Sequence, residues 1–126
     1  MNLNQVTLPA IDLNESTAFY LKLGFTQIVK SDHYARFLCT EGNSTFSIHL
    51  SSKKNDSDFI VYFECDDVDA EYNRLKEKGI EFKSEPKDEK WLWREARIFD
   101  PSDNEICLYS AGVNRINPPW RVNISL

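Results

Sequence analysis

The alternation of apolar and polar residues divides the chain into short strands and two amphipathic helices. Residues 3–11 (LNQVTLPAI) predict a strand, and a helix then begins near Asp12, with Glu15 three residues later as in a capping box. Gly24 is placed to end this helix in the left-handed conformation. Three more strands are predicted around FTQIVK, YARFLC and TFSIHL. The first half of the chain therefore has the order βαβββ.

The second half of the chain repeats this order. DFIVYFEC predicts a strand, and either Asp66 or Asp67 caps the helix that follows. Gly79 ends that helix, and strands are predicted around IEF, WREARIF and EICLY. The apolar stripe of the helix consists of Val68, Tyr72 and Leu75. We therefore expect an α+β fold, in which two βαβββ modules form a curved mixed sheet around a cleft and the helices cover its outer face.

This pattern predicts a single domain over residues 1–112. Module one spans about 1–52 and module two about 57–110, joined by a polar linker. Residues 113–126 contain two prolines and few apolar side chains, which favours an extended C-terminal tail with Trp120 as a candidate anchor.

Composition narrows the class of protein. Hydrophobic residues make up 41% of the 126 residues, which is typical of a globular chain and excludes a disordered one. The 20 acidic residues exceed the 15 basic ones, and the net charge of −5 disfavours nucleic acid as a partner. The N-terminus lacks the pattern of a signal peptide, and no stretch is long enough to span a bilayer. Cys39, Cys65 and Cys107 show no CxxC spacing, so we expect reduced thiols in a cytoplasmic protein.

Three segments together resemble a known family: FYLKLGF, FECDDVDAEYNRLKEKGI and W…REARIFDPSDNEICLY. They are similar to the glyoxalase / bleomycin resistance / extradiol dioxygenase superfamily (vicinal oxygen chelate fold) over roughly residues 3–110. ESTAFYLKLGF and the region 91–94 most resemble the bleomycin resistance branch, whose members are typically dimers that sequester a drug without catalysis. Asp103 stands where the family usually has Gly, and Asp tolerates the left-handed conformation that this turn requires.

The resemblance also implies four metal-ligand positions, to which Gln5, His49, Ile60 and Cys107 correspond. Ile60 has no donor atom, Gln5 offers only a neutral amide, and Cys107 replaces the Glu of many relatives. A catalytic site needs about three protein ligands and an open position, so we expect no metal and no cofactor. Cys107 is then a small apolar residue of the interior. The alternative is a metal-dependent lyase (glyoxalase-like) or dioxygenase with an altered site made from Gln5, His49 and Cys107.

Strand alternation sorts each strand into residues that face a helix and residues that face the cleft. On the fourth strand, Phe46, Ile48 and Leu50 are expected to face the helix. The residues expected to bind a ligand in the cleft are Gln5, His49, Tyr62, Glu64, Trp91, Trp93, Arg97, Cys107 and Tyr109. Aromatic rings mixed with a few polar groups are typical of a pocket for an organic ligand.

Some of these residues have a second interpretation. Trp91 and Trp93 are equally consistent with packing at a dimer interface, where Trp is enriched. Arg97 either forms an ion pair with Glu95 or Glu64 across neighbouring strands or holds the carboxylate of a ligand.

The predicted function is metal-free sequestration of a small aromatic or cationic molecule, as in antibiotic resistance proteins of this family. The resemblance also implies a homodimer, because small relatives complete their cleft from two chains. Nucleic acid and membrane are not expected as partners. A further hypothesis is a cleft that serves self-association or another protein.

Overall fold

The computed structural model describes residues 1–122, which form two compact units. One unit contains Met1–Ile60 together with the later segment Phe99–Glu105. The other contains Val61–Ile98 and, of the described residues, 106–122. The first unit thus includes the Asp-Pro turn, which belongs to the second half of the chain. The sequence had predicted two modules that follow one another along the chain.

The first unit is a four-stranded sheet with one helix. Its elements are β1 (Gln5–Ala10), α1 (Leu13–Leu23), β2 (Thr26–Lys30), β3 (Tyr34–Leu38) and β4 (Thr45–Leu50). The strand order is β1-β4-β3-β2, with β1 parallel to β4 and the other pairs antiparallel. Buried aromatic rings pack between the helix and the sheet. The ring centroid of Tyr20 in α1 lies 5.5 Å from that of Phe37 and 4.9 Å from that of Phe46.

Helix α1 begins and ends where the sequence predicts. The Asp12 side chain accepts a 3.0 Å hydrogen bond from the Glu15 amide, which satisfies one of the free amides of the first turn. Gly24 ends the helix with φ 105°, in the left-handed region.

The second unit repeats the arrangement. Its elements are β5 (Ile60–Glu64), α2 (Val68–Glu77), β6 (Ser84–Asp88), β7 (Arg94–Phe99), β8 (Glu105–Ser110) and a short 3-10 helix (Gly112–Arg115). The strand order is β5-β8-β7-β6. Asp67 is the N-cap of α2, and its side chain accepts from the Ala70 amide at 3.0 Å. Two mixed sheets with two helices confirm the predicted α+β class.

Two local expectations for this unit were wrong. The strand predicted at IEF begins later, at Ser84, because the Ile80 amide donates to the Leu75 carbonyl and closes the end of α2. The segment after β8 is not an extended tail: the 3-10 helix is followed by a turn in which the Arg121 amide donates to the Pro118 carbonyl. Trp120 is 56% exposed, so it is a poor anchor. The rest of the predicted tail, 123–126, lies outside the described residues.

Neither helix among residues 1–122 has the length and apolar character needed to cross a membrane.

Candidate functional site

Three aromatic rings form a cluster on the second sheet, which we call the ring cluster: Tyr62 of β5, Trp93 just before β7, and Tyr109 of β8. Trp93 and Tyr109 are stacked with centroids 4.6 Å apart and an interplanar angle of 21°. Tyr62 meets both rings edge-on, at 5.8 Å and 5.7 Å. The order β5-β8-β7 brings these strands side by side, and alternation directs the three side chains to one face. The common face predicted for these rings is therefore found in the structure.

The rings differ in exposure. Tyr62 is 43% exposed, Trp93 is half-buried and Tyr109 is buried. Burial raises the pKa of the Tyr109 hydroxyl, and the negative charge of Glu64 adds to this effect. Tyr109 is therefore a neutral phenol at physiological pH. The Tyr62 ring is therefore exposed to solvent and packs against the rings of Trp93 and Tyr109.

Polar groups from the 3-10 helix lie beside the ring cluster. The indole N–H of Trp93 donates to the Asn114 carbonyl at 3.4 Å, which holds the orientation of the ring. Arg115 Nε lies 3.8 Å from Glu64 Oε2, and both side chains are about half exposed. Sequence reasoning missed Arg115 because it treated this segment as an extended tail. The only signal available was a basic side chain shortly after the last strand.

A buried carboxylate lies further along the same face. Glu95 is 3% exposed, and its Oε1 accepts from Arg97 Nη2 at 2.9 Å. Its Oε2 accepts a 2.6 Å hydrogen bond from the indole N–H of Trp91. A buried carboxylate requires such partners, so Glu95 orients both neighbours. Sequence reasoning treated Glu95 only as an ion-pair partner of Arg97.

The contacts of Glu95 favour the ion-pair interpretation of Arg97. The ion pair runs along β7 between residues two apart, rather than across neighbouring strands as expected. Because Arg97 is already paired with a buried carboxylate, it is a poor candidate for holding the carboxylate of a ligand. Trp91 has an exposed ring, 42% accessible, while its N–H is fixed on Glu95.

Cys107 of β8 is fully buried. Burial raises the pKa of its thiol to about 12, and the negative charge of Glu95 contributes to the rise. The side chain therefore carries a proton at neutral pH in this structure. These properties favour the interpretation of Cys107 as a small apolar residue of the interior.

The two predicted site residues of the first unit lie apart from each other. Gln5 pairs in register with Thr45, whereas His49 pairs with Pro9, four residues further along the strands. At about 3.3 Å per residue this separates Gln5 and His49 by ~13 Å. His49 is exposed, with Nδ1 3.3 Å from the Leu50 carbonyl. Leu50, expected to be buried, is 49% exposed because it is the last residue of β4.

The residues at the metal positions do not fit the metal that the resemblance implies. Gln5 and His49 do not converge, Ile60 has no donor atom, and Cys107 is a buried thiol. Within residues 1–122, no group of three or more His, Cys, Asp or Glu side chains is arranged to hold a metal ion.

Comparison with known proteins agrees with this fold. A glyoxalase/bleomycin resistance protein/dioxygenase from Nocardioides has a TM-score of 0.79 at 21% identity, covering 98% of this chain and 90% of that one. A bleomycin-binding protein complexed with bleomycin has a TM-score of 0.72 at 21% identity, with coverage of 87% and 98%. The uncharacterized protein YraH of Bacillus subtilis (strain 168) is 30% identical, covering 86% of this chain and 98% of YraH. Because residues 2–108 match the family model, the chain belongs to the Glyoxalase/Bleomycin resistance protein/Dioxygenase superfamily.

Proposed function

We propose that the protein binds a small organic molecule against the ring cluster and sequesters it without metal-dependent chemistry. The observation that carries the proposal is the arrangement of the rings, in which Tyr62 is exposed on top of the stacked pair Trp93 and Tyr109. Rigid rings contribute large apolar area with little loss of conformational entropy, as small-molecule sites require.

The charges beside the rings favour a ligand that is planar and cationic. The carboxylate of Glu64 is 51% exposed, and its ion pair with Arg115 is long, at 3.8 Å. An exposed pair of this kind contributes little to stability, so Glu64 is free to exchange Arg115 for the cation of a ligand. A cation over an aromatic face gains about 0.5–2 kcal/mol. The net charge of −5 attracts such a ligand at long range.

Bleomycin is the natural first probe, because a protein with the same fold is described as bleomycin-binding and complexed with bleomycin. We propose sequestration of a drug of this kind as the biological role, which amounts to antibiotic resistance. The fold supports many chemistries, so the ring cluster, rather than the fold, is the basis of the proposal.

Tryptophan fluorescence tests the proposal directly. Bleomycin, or another cationic planar compound, is titrated into protein treated with a chelator. We expect saturable quenching that is lost in Trp93→Phe and retained in Trp120→Phe, because Trp120 lies outside the ring cluster. Metal analysis of the untreated protein completes the test. Stoichiometric zinc, nickel, manganese or iron, together with binding that requires it, would favour a metal-dependent lyase or dioxygenase instead.

The same proposal includes a homodimer in the cytoplasm. Large apolar side chains remain accessible in the isolated chain, with Leu21 47% and Ile28 48% exposed, and an interface would cover such side chains. Free cysteines agree with a reducing compartment. Light scattering at micromolar concentration tests the oligomeric state, and a monomer would contradict this part of the proposal.

A further inference from the structure

A chain of side-chain hydrogen bonds crosses three strands of the first sheet, on the face opposite Phe37 and Phe46. We call it the polar array, and its members are Gln5 of β1, Thr45 and Ser47 of β4, and Tyr34 and Arg36 of β3. Gln5 Nε2 lies 2.8 Å from Ser47 Oγ, and Ser47 Oγ lies 2.5 Å from Tyr34 Oη. Arg36 Nε donates to Tyr34 Oη at 2.9 Å. The Thr45 hydroxyl donates to Gln5 Oε1.

The direction of each hydrogen bond follows from the chemistry of the groups. Gln5 Nε2 also donates to the Val6 carbonyl, which only accepts, so the orientation of the amide is fixed. The amide nitrogen is a donor, so Ser47 Oγ accepts from it. Ser47 is fully buried, and Tyr34 Oη is the acceptor within its reach in the described fold, so the Ser47 hydroxyl donates to Tyr34.

Tyr34 Oη therefore accepts two hydrogen bonds, one from Ser47 and one from Arg36. A phenolic oxygen has two lone pairs and one hydrogen, so both acceptor positions are used and the hydrogen is directed away from the array. The hydrogen bonds from Ser47 and Arg36 also lower the pKa of the Tyr34 hydroxyl, which makes it a stronger donor.

The guanidinium of Arg36 has N–H donors that are not used in a hydrogen bond with the described residues. Arg74, Arg94, Arg97 and Arg115 each pair with a carboxylate, whereas within residues 1–122 no carboxylate lies at ion-pair distance from Arg36. Instead its guanidinium carbon lies 5.4 Å from the centroid of the Tyr34 ring, and Nε is used by Tyr34 Oη. The two terminal nitrogens of the Arg36 guanidinium remain available as a pair of donors, next to the hydroxyl hydrogen of Tyr34.

We propose that Arg36 and Tyr34 bind the oxyanion group of a small molecule, a carboxylate or a phosphoryl group, on the first sheet. The Arg36 fork supplies charge and two donors, and the Tyr34 hydroxyl supplies a third donor from an adjacent position. Ser47 and Gln5 act as positioning residues, because they fix the Tyr34 oxygen without reaching the ligand. No member of the polar array belongs to the ring cluster, so this site stands or falls independently of the proposed function.

Nuclear magnetic resonance of isotope-labelled protein tests the site, with inorganic phosphate and acetate titrated separately at constant ionic strength. We expect saturable shifts of the amides of Tyr34, Arg36 and Ser47. Arg36→Gln is expected to weaken binding about tenfold or more, because a charged hydrogen bond is lost. Tyr34→Phe is expected to weaken it several-fold. Lys30→Gln, which removes another cation of the same sheet, is the matched control and is expected to leave affinity unchanged.

The two salts distinguish the source of the oxyanion. Shifts with phosphate alone identify a phosphoryl site, and shifts with both salts identify a site that also accepts carboxylates. The proposal is overturned if neither salt gives saturable shifts at these amides. It is equally overturned if Arg36→Gln and Tyr34→Phe, both shown to be folded by circular dichroism, bind as tightly as the wild type.

Discussion

The Tyr20 hydroxyl donates a 2.6 Å hydrogen bond to Asp100 Oδ2, and this bond joins helix α1 to the Asp-Pro turn before β8. Both groups are buried. Asp100 Oδ1 also accepts from the amides of Ser102 and Asn104, each at 2.9 Å. The turn is tied to the first strand as well, because Asn104 Nδ2 donates to the Pro9 carbonyl. Two of the segments that carry the family resemblance are thus in direct contact, 80 residues apart in the chain.

Removal of this bond is expected to destabilise the fold. Tyr20→Phe keeps the ring, which packs against Phe37 and Phe46, but leaves Asp100 Oδ2 with one partner fewer. We expect the free energy of unfolding to fall by about 1–3 kcal/mol, measured by urea denaturation. Ligand binding at the ring cluster should not change.

Tyr72→Phe is the matched control for this substitution. Tyr72 packs edge-on against Phe82 at 4.6 Å, and within residues 1–122 its hydroxyl makes no hydrogen bond. Its unfolding free energy should stay within about 0.5 kcal/mol of the wild type, as for surface substitutions. If the two variants lose equal stability, the hydrogen bond from Tyr20 to Asp100 makes no measurable contribution to the free energy of unfolding.

A second prediction concerns stability at Asp103 of the Asp-Pro turn, which has φ 62°. This left-handed conformation is the one the sequence predicts for the position where relatives usually carry Gly. Asp103→Gly should change the unfolding free energy by less than about 1 kcal/mol, because relief of strain and greater freedom of the unfolded chain offset each other. Asp103→Val should destabilise by about 1–2 kcal/mol, because a β-branched residue is poorly tolerated there. Equal stability of the two variants in thermal unfolding would contradict this reading of the turn.

The buried thiol of Cys107 predicts a loss of stability at high pH. Its pKa is raised to about 12 in the folded protein, mainly by burial. The unfolded chain loses this proton near pH 8.5. Between these values the folded state binds more protons than the unfolded state, so the free energy of unfolding falls as pH rises. In Cys107→Ala we expect a shallower decline between pH 8 and pH 10 than in the wild type, measured by urea denaturation at both pH values.

Cys39→Ala is the control for the thiol effect. Burial also raises the pKa of Cys39, but this residue is only half-buried, so its removal should flatten the decline less. Cys65 contributes to the decline in all three proteins, because burial raises the pKa of its thiol to about 11. An unchanged pH profile in Cys107→Ala would show that the thiol ionises in the folded protein as easily as in the unfolded chain.

The predictable parts of the structure are those that depend on local pattern. The caps at Asp12 and Gly24 follow from neighbouring residues, and the common face of Tyr62, Trp93 and Tyr109 follows from the two-residue period of strands.

Contacts that depend on register or on an irregular segment could not be predicted. Gln5 meets Ser47 rather than His49, because the offset between the parallel strands β1 and β4 is set by packing that alternation does not reveal. Arg115 reaches Glu64 because the chain after β8 turns into a 3-10 helix that its polar sequence does not signal.

The affinity of Tyr62→Ala for a quenching ligand shows whether the ring cluster is the ligand site. Phe59→Ala is the matched control, because Phe59 is another exposed aromatic residue, 51% accessible, that lies outside the cluster. We expect Tyr62→Ala to weaken binding about tenfold, since a cation over an aromatic face gains about 0.5–2 kcal/mol and a tenfold change in affinity corresponds to about 1.4 kcal/mol. Phe59→Ala should bind as the wild type does. Equal affinity of the wild type and Tyr62→Ala, in protein shown to be folded, would mean that the ligand binds elsewhere than the ring cluster.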